Sequence, residues 1–540
     1  MSKVWEFVKK NKNHILFSAF VLWSILLFFT HDIWRDEAQS YLIVRQSSLA
    51  ELFEVLKIEG HPALWYLLLF PFVKLGAGIW IQGLLSMTFA VLSAGLVIYK
   101  SKFKFLYKAL FLYCTPMLFQ YNAVARSYAL GMFLFVLAML LWSRRYEGKR
   151  YIIWSLLLVL MTNVSLTFAI LAGSLVLADF IEAIVTKRFK EIIRSYKFWV
   201  IIAAFIVGAV LMVLTIWSPT YLDEYYGSMG SLTGMQFDFT WFGWLQSIAN
   251  VLFVPFASLP AFQRFPSIII GATIINGIIS ALVLLLVLVA IKRFNKGRKF
   301  PYPFILGTVF CVVLVVYNVF TAKLWVQHYS IIYLLVMAMF HMSIEGGEGY
   351  DENTVIGVKK GDKAYKWVFT MLVALPIALS YSAFFAIEDV FSMYSCSTET
   401  VQYIKDNGYD DEDTLIYSFD EEYVSSIVAQ LDNIKSIKTP RGDMTYANWQ
   451  GLVRPKNSEI DYQKVIDEYS DSYEHIILVV YYKRVEDPKN YGELAGEIFP
   501  NKEHEIFMYG EFVPPEGELL LSPSKSATTI EEAYYLYKLK

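Results

Sequence analysis

Four short segments carry residue types able to move protons or grip phosphate. The first is Trp34-Arg35-Asp36-Glu37-Ala38-Gln39-Ser40-Tyr41, with an adjacent acidic pair. The second is Glu59-Gly60-His61-Pro62-Ala63-Leu64-Trp65-Tyr66, and the third is Ala125-Arg126-Ser127-Tyr128-Ala129-Leu130. The fourth runs from Lys323 to His328 and Tyr329. A carboxylate held against a hydroxyl can accept its proton. A guanidinium grips phosphate through two parallel hydrogen bonds. Asp36, Glu37 and His61 could also hold a divalent ion if the chain brings them together. No HExxH pattern or cysteine cluster accompanies them. Each residue has a plainer alternative. The acidic pair could be interfacial charge beside a helix cap, Arg126 a snorkelling helix end, and Tyr128 an interface aromatic. His61 could cap its helix, with Pro62 at a first helical position, and Lys323 and His328 could mark an ordinary polar helix end. Asp223 and Glu224 read as a solvated, Tyr-rich loop.

The elements that must position these residues are apolar. A bilayer core of ~30 Å needs about 20 apolar residues per helix. Runs at 14–30, 81–99, 105–121, 128–143, 151–167, 168–186, 197–217, 268–291, 303–321, 329–344 and 366–386 qualify as expected spans. Two more, 62–75 and 240–258, read as short crossings, re-entrant segments or interfacial helices. The first run follows Lys9, Lys10 and Lys12 like a signal peptide, yet no small-residue cleavage pattern comes after it, so an uncleaved helix is expected. From about 388 the composition turns soluble. Thr398–Asn407 reads as an amphipathic helix, and Thr414–Ser418 and Ile476–Tyr482 as buried strands. Glu505–Tyr509 and Tyr534–Leu539 read as further strands, giving a small α/β domain over 388–540. No Gly-rich phosphate loop follows a strand, so nucleotide binding is not indicated.

Charge orients the chain. Basic clusters at Lys100/Lys102/Lys104, Arg144/Arg145/Lys149/Arg150, Lys187/Arg188/Lys190/Arg194, Lys292/Arg293/Lys296/Arg298/Lys299 and Lys359/Lys360/Lys363/Lys366 fall on one side with the N-terminus. The positive-inside rule makes that side cytoplasmic. Eleven crossings then put 31–61, 122–127, 218–238, 322–328 and the C-terminal domain outside. The expected protein is therefore a multi-pass α-helical protein of the plasma membrane, with about 11–13 transmembrane helices in 1–387 and an extracytoplasmic C-terminal domain. A charged fraction of 18% and a hydrophobic fraction of 56% separate it from ordinary soluble chains. A net charge of −2 gives no field that favours nucleic acid. Three cysteines are too few for a disulfide scaffold.

The motif set resembles bacterial GT-C glycosyltransferases, especially those related to protein O-mannosyltransferases and the lipid A aminoarabinose transferase. The matching features are the Asp36-Glu37 pair after the first helix, Tyr41 four residues on, the Gly60-His61-Pro62-x-Leu64-x-Tyr66 segment, and Ala125-Arg126-x-Tyr128-Ala129-Leu130. Ala63 and Ser127 stand where the family often has proline. The many-helix layout with an outer C-terminal domain is also similar. The resemblance implies transfer of a sugar from a polyprenyl-phosphate carrier to a hydroxyl of a glycan, lipid or protein, with inversion. It implies Asp36 as the base, with Glu37 as the substitute or as a ligand for the acceptor or a metal. It further implies Arg126, His61, His328 and Lys323 as candidates for the carrier phosphate, and Tyr41, Tyr128 and Tyr329 for substrate contact. No cofactor is certain, and a divalent metal stays open. The competing reading is a transporter or flippase for a lipid or polysaccharide. Such proteins usually carry midplane charges and internal repeats; here the notable charges lie at the outer edge. A non-catalytic sensor or assembly protein would lack the acidic pair.

Overall fold

Long apolar runs set most of the helices. The computed structural model describes residues 2–114, 116–216, 302–321, 328, 330–346, 395–419, 421–431, 437–439, 442–444, 446, 462–481, 518–521 and 532–540, with single residues at 244, 387 and 390. Helices α1 (Ser2–Thr30), α2 (Arg35–Gln46), α3 (Leu49–Glu59), α4 (Leu64–Lys74), α5 (Trp80–Lys100) and α6 (Phe105–Leu112) come first. A π-helical turn (Pro116–Gln120), α7 (Tyr128–Leu141), α8 (Arg150–Thr162), α9 (Leu166–Val185), α10 (Phe189–Arg194) and α11 (Tyr196–Ile216) follow, then α12 (Tyr302–Thr321) and α13 (Ile331–Gly346). The expected spans at 268–291 and 366–386, all but residue 244 of the segment 240–258, and Asp223, Glu224, Lys323 and Tyr329 lie outside the described residues.

Among the described residues, five helices are long and apolar enough to cross a membrane: Lys3–Thr30, Trp80–Lys100, Leu166–Val185, Tyr196–Ile216 and Tyr302–Val319. Their outward faces expose large apolar side chains, among them Leu22, Phe29, Trp199, Val207 and Leu214. In water such a surface would drive association; against lipid it is stable. The segment 105–121 is not one span. α6 ends at Leu112 and Pro116 opens a separate turn, because proline removes an amide donor and clashes with the preceding turn. α4 has 11 residues, about 16 Å at ~1.5 Å per residue, so it cannot cross alone. It packs between α2 and α5.

The stretch at 31–61 folds into two helices with local caps. Ser48 Oγ accepts from the Glu51 amide at 3.3 Å, and the Glu51 carboxylate accepts from the Ser48 amide at 2.7 Å, a reciprocal capping box that starts α3. Gly60, at φ +71°, ends it in the left-handed region that glycine adopts without strain. Deeper in the bundle, Gly131 of α7 makes room for the Phe168 ring at the start of α9, since a Cβ there would fall 2.4 Å from it. At the opposite end of α7, Arg145 makes a bidentate pair with Asp179 of α9, at 2.6 and 3.2 Å, under the rings of Trp142, Tyr146 and Tyr302.

The C-terminal part is a small α/β domain. α14 (Ser397–Asp406), α15 (Glu421–Val428) and α16 (Tyr462–Tyr469) accompany six strands: β1 (Thr414–Ser418), β2 (Ile437–Thr439), β3 (Gly442–Asp443), β4 (His475–Tyr481), β5 (Glu518–Leu521) and β6 (Tyr534–Lys538). Their order is β3-β2-β1-β4-β6-β5, with β1 parallel to β2 and β4, and the other pairings antiparallel. The expected helix and three of the expected strands match within a residue; Glu505–Tyr509 lies outside the described residues. One face of the sheet, with Val465 of α16, makes its own core around Leu415, Tyr417, Ile476 and Leu478. The other face, with α14 and α15, joins the core of the helical bundle without interruption. The junction is α2, which packs on α4 below and α15 above.

Candidate active site

The two carboxylates of the acidic pair point into different surroundings. Glu37 is the third residue of α2, and its side chain folds back to accept from the Trp34 amide at 3.2 Å. The same carboxylate lies 3.1 Å from His31 Nε2 through both oxygens and accepts a short bond from the Ala125 amide. It is 1% exposed, and its backbone carbonyl accepts from Gln82 Nε2 of α5 at 2.9 Å. Glu37 thus ties the start of α2 to the turn that carries Arg126. Asp36 keeps 34% of its side chain exposed. Its Oδ2 stands 3.4 Å from Arg126 Nη1 and its Oδ1 3.9 Å from Arg35 Nε.

Arg126 is the cation at the centre. Nη1 donates to the Asp36 carbonyl at 2.8 Å, and Nη2 lies 3.0 Å from His61 Nε2. His61 Nδ1 is 3.0 Å from the Glu59 carbonyl. A carbonyl can only accept, so Nδ1 carries the proton and Nε2 accepts from Arg126. Desolvation against the packed helices and the adjacent Arg126 charge hold the His61 imidazole well below the usual histidine range. It is neutral at pH 7 and aims the guanidinium. Across the site, Tyr128 Oη is 3.2 Å from His328 Nε2. Burial, with His61 and Arg126 nearby, holds the His328 imidazole far below its usual range too. Both histidines are therefore hydrogen-bonding groups here, and the fixed positive charge belongs to the arginines.

Residues separated by up to hundreds of positions, Asp36, His61, Arg126, Tyr128 and His328, thus meet at one end of the bundle. Tyr41 does not join them. It is one turn further along α2, 5% exposed, and its hydroxyl donates to the Ala77 carbonyl at 3.2 Å, bracing α2 on the α4–α5 turn. Asp36, Glu37 and His61 do not fit a metal site, because the Glu37 oxygens and both His61 nitrogens are engaged elsewhere. No group of three metal-ligating side chains converges among the described residues.

No protein-family model and no curated protein sequence matches this chain.

Three contributors escaped the sequence reading. Glu59, two residues before His61 and given no role in the sequence reading, accepts from Gln39 Nε2 at 3.2 Å. Gln82, near the start of the long helix α5, holds the Glu37 carbonyl; a glutamine in so apolar a run was a usable signal. Glu532 lies in the C-terminal α/β part, and its contact with the Arg35 amide spans 497 positions. No local pattern announces it.

Proposed function

We propose that this chain is a polyprenyl-phosphate-dependent glycosyltransferase of the GT-C type, working at the outer face of the plasma membrane. The observation that carries the reading is the convergence of a part-exposed carboxylate, Asp36, with a phosphate-gripping cation, Arg126, at the end of an apolar bundle. Lipid-linked phosphate chemistry needs such a pair at membrane depth, and charges there are costly unless they pair or do work. The positive-inside pattern supports an outer location for this end and for the soluble domain.

In the proposed reaction the acceptor hydroxyl attacks the anomeric carbon of the carrier-linked sugar. Asp36 takes the hydroxyl proton as the new oxygen–carbon bond forms. The bond from the anomeric carbon to the phosphate oxygen breaks, and its electron pair leaves on the lipid phosphate. Arg126 offers the N–H donors for that developing charge. A single displacement inverts the anomeric centre. His61 and Glu37 act on Arg126 and its turn, while Tyr128 and His328 line the opposite wall. The acceptor is a glycan, lipid or protein of the envelope.

The test is release of free lipid phosphate by the purified protein in nanodiscs, with undecaprenyl-phosphate-linked hexoses and pentoses as donors and envelope extract as acceptor source. The expected result is acceptor-dependent release that Asp36→Asn abolishes. Release that continues unchanged in Asp36→Asn would sink the assignment, and transport of intact donor without release would favour the flippase alternative.

A further inference from the structure

Glu532 is the soluble-domain residue that reaches the acidic motif. It is 2% exposed. Its carbonyl accepts from the Cys396 amide at 2.8 Å, which seats it beside the start of α14. Oε2 is held from several elements, by Ser395 Oγ and Ser426 Oγ at 3.2 Å each and by Tyr534 Oη at 3.3 Å. Oε1 is turned the other way and accepts from the Arg35 amide at 3.0 Å. That amide is the first of α2 and has no partner within its own helix. A carboxylate from the far end of the chain therefore caps the helix that begins the motif.

The Arg35 side chain completes the link. Its guanidinium lies over the Tyr423 ring at 4.6 Å, and Tyr423 stacks on Tyr481 at 3.7 Å. Arg35 Nε stands 3.9 Å from Glu532 Oε1 and 3.9 Å from Asp36 Oδ1, between the two carboxylates. Docking of the domain has separate supports. Arg45 Nη2 donates to the Val428 carbonyl at 2.9 Å, and Ser397 Oγ donates to the Ile33 carbonyl at 2.7 Å. Adhesion alone does not call for a buried acid, since burying one is costly and apolar residues hold interfaces as well or better.

We propose that Glu532 is a positioning residue for the transfer reaction: by capping the Arg35 amide and flanking its guanidinium, it fixes the first turn of α2 and hence the direction in which Asp36 presents its carboxylate. The proposal rests on the reading of Asp36 as the base. It makes the soluble domain part of the active site's scaffold.

The experiment uses the full chain in nanodiscs, with amide exchange over 33–46 and 421–428, and lipid-phosphate release from the same undecaprenyl-phosphate sugars. Glu532→Ala is expected to speed exchange in the first turn of α2 by about tenfold while α15 stays protected. Its kcat should fall about tenfold or more with donor KM within about twofold, because a displaced base costs rate rather than binding. Glu532→Gln keeps an oxygen for the Arg35 amide and should restore both readouts. Arg45→Ala, which removes the hydrogen bonds to the Val428 and Leu431 carbonyls and leaves the Glu532–Arg35 contacts in place, should loosen α15 and leave kcat within about threefold. If the alanine variant does not fold, Glu532→Asp, which withdraws the oxygens by one methylene, carries the same expectation. Unchanged exchange and kcat in Glu532→Ala would overturn the proposal. Equal losses of kcat in Glu532→Ala and Arg45→Ala would do so as well. Normal turnover by Asp36→Asn would remove the base and this role with it. A dead Asp36→Asn beside a fully active Glu532→Ala would remove the positioning role alone.

Discussion

Arg126 holds Asp36 at two points: its Nη1 donates to the Asp36 carbonyl at 2.8 Å and stands 3.4 Å from the Asp36 carboxylate. In the free protein the proposed base and the proposed phosphate ligand are therefore paired with each other. On the proposed reading, a donor phosphate entering the site would compete for the same guanidinium. Its arrival would draw Arg126 from the carboxylate and leave Asp36 facing the acceptor.

Asp36→Asn should leave the fold intact, because the side chain is partly exposed and the Asp36 contact to Arg126 that is shortest runs through the backbone. Turnover should drop by about 10²–10⁴, the range a general base supplies. Donor affinity, measured by titration of the purified variant, should stay near that of the unmodified protein.

Arg126→Lys keeps a positive charge and loses the fork. A lysine gathers its donors on one nitrogen, so it cannot set separate nitrogens on the Asp36 carbonyl and His61 Nε2 as the guanidinium does. Lipid-phosphate release should fall by about 10²–10³, the cost of one lost transition-state donor. A fully active Arg126→Ala protein would exclude the residue from the site.

Glu37→Gln should act on stability first. Both Glu37 oxygens accept, from the Trp34 and Ala125 amides and beside His31. A glutamine replaces one acceptor by an NH2 group and sets donor against donor. The expected loss is about 1–3 kcal/mol for each buried group left unpaired, read as a lower thermal midpoint. Activity should fall with the midpoint, in contrast to Asp36→Asn, where activity falls alone. A stable, inactive Glu37→Gln would exchange the two roles.

The docked soluble domain should lose stability as pH rises from 4.5 to about 7. Burial raises the Glu532 carboxyl across that window, against the opposing Arg35 amide and charge and with the Asp36 charge adding to the rise. Over this interval the folded protein retains a proton that the unfolded chain has released, so the sign is destabilising with increasing pH, and it levels off above about 7. The scale is a few kcal/mol, at ~1.4 kcal/mol per unit of pKa. Amide exchange of α15 at pH 5 and pH 8 checks it. Glu532→Gln should flatten this contribution; an identical pH response in that variant would locate its origin elsewhere.

Asn407→Cys introduces a thiol at an exposed turn of the soluble domain, whereas native Cys114 and Cys396 are buried. An impermeant thiol reagent should label it in intact cells, above the background of the unsubstituted protein. Labelling only after lysis would reverse the orientation and move the acidic motif to the cytoplasmic face.

Hydropathy, a local property, is written in consecutive residues, and on it the membrane-capable helices and the strand Thr414–Ser418 were both legible. The same holds for the acidic pair and its neighbours as a cluster of chemistry-bearing types. Helices in 31–61 were missed because their apolar faces are narrow and their polar residues are buried by partners distant in sequence. The resemblance ranked Asp36 before Glu37, but only the tertiary structure shows how their surroundings differ. The two are adjacent in sequence, and what distinguishes them is the approach of Ala125, His31 and Gln82 to one and of Arg126 to the other. It likewise made His61 and His328 neutral partners of other side chains and brought Glu532 to the Arg35 amide. Burial, desolvation and hydrogen-bond geometry depend on which distant segments pack together, so composition and spacing identify the reactive residues while packing assigns their protonation and their reach.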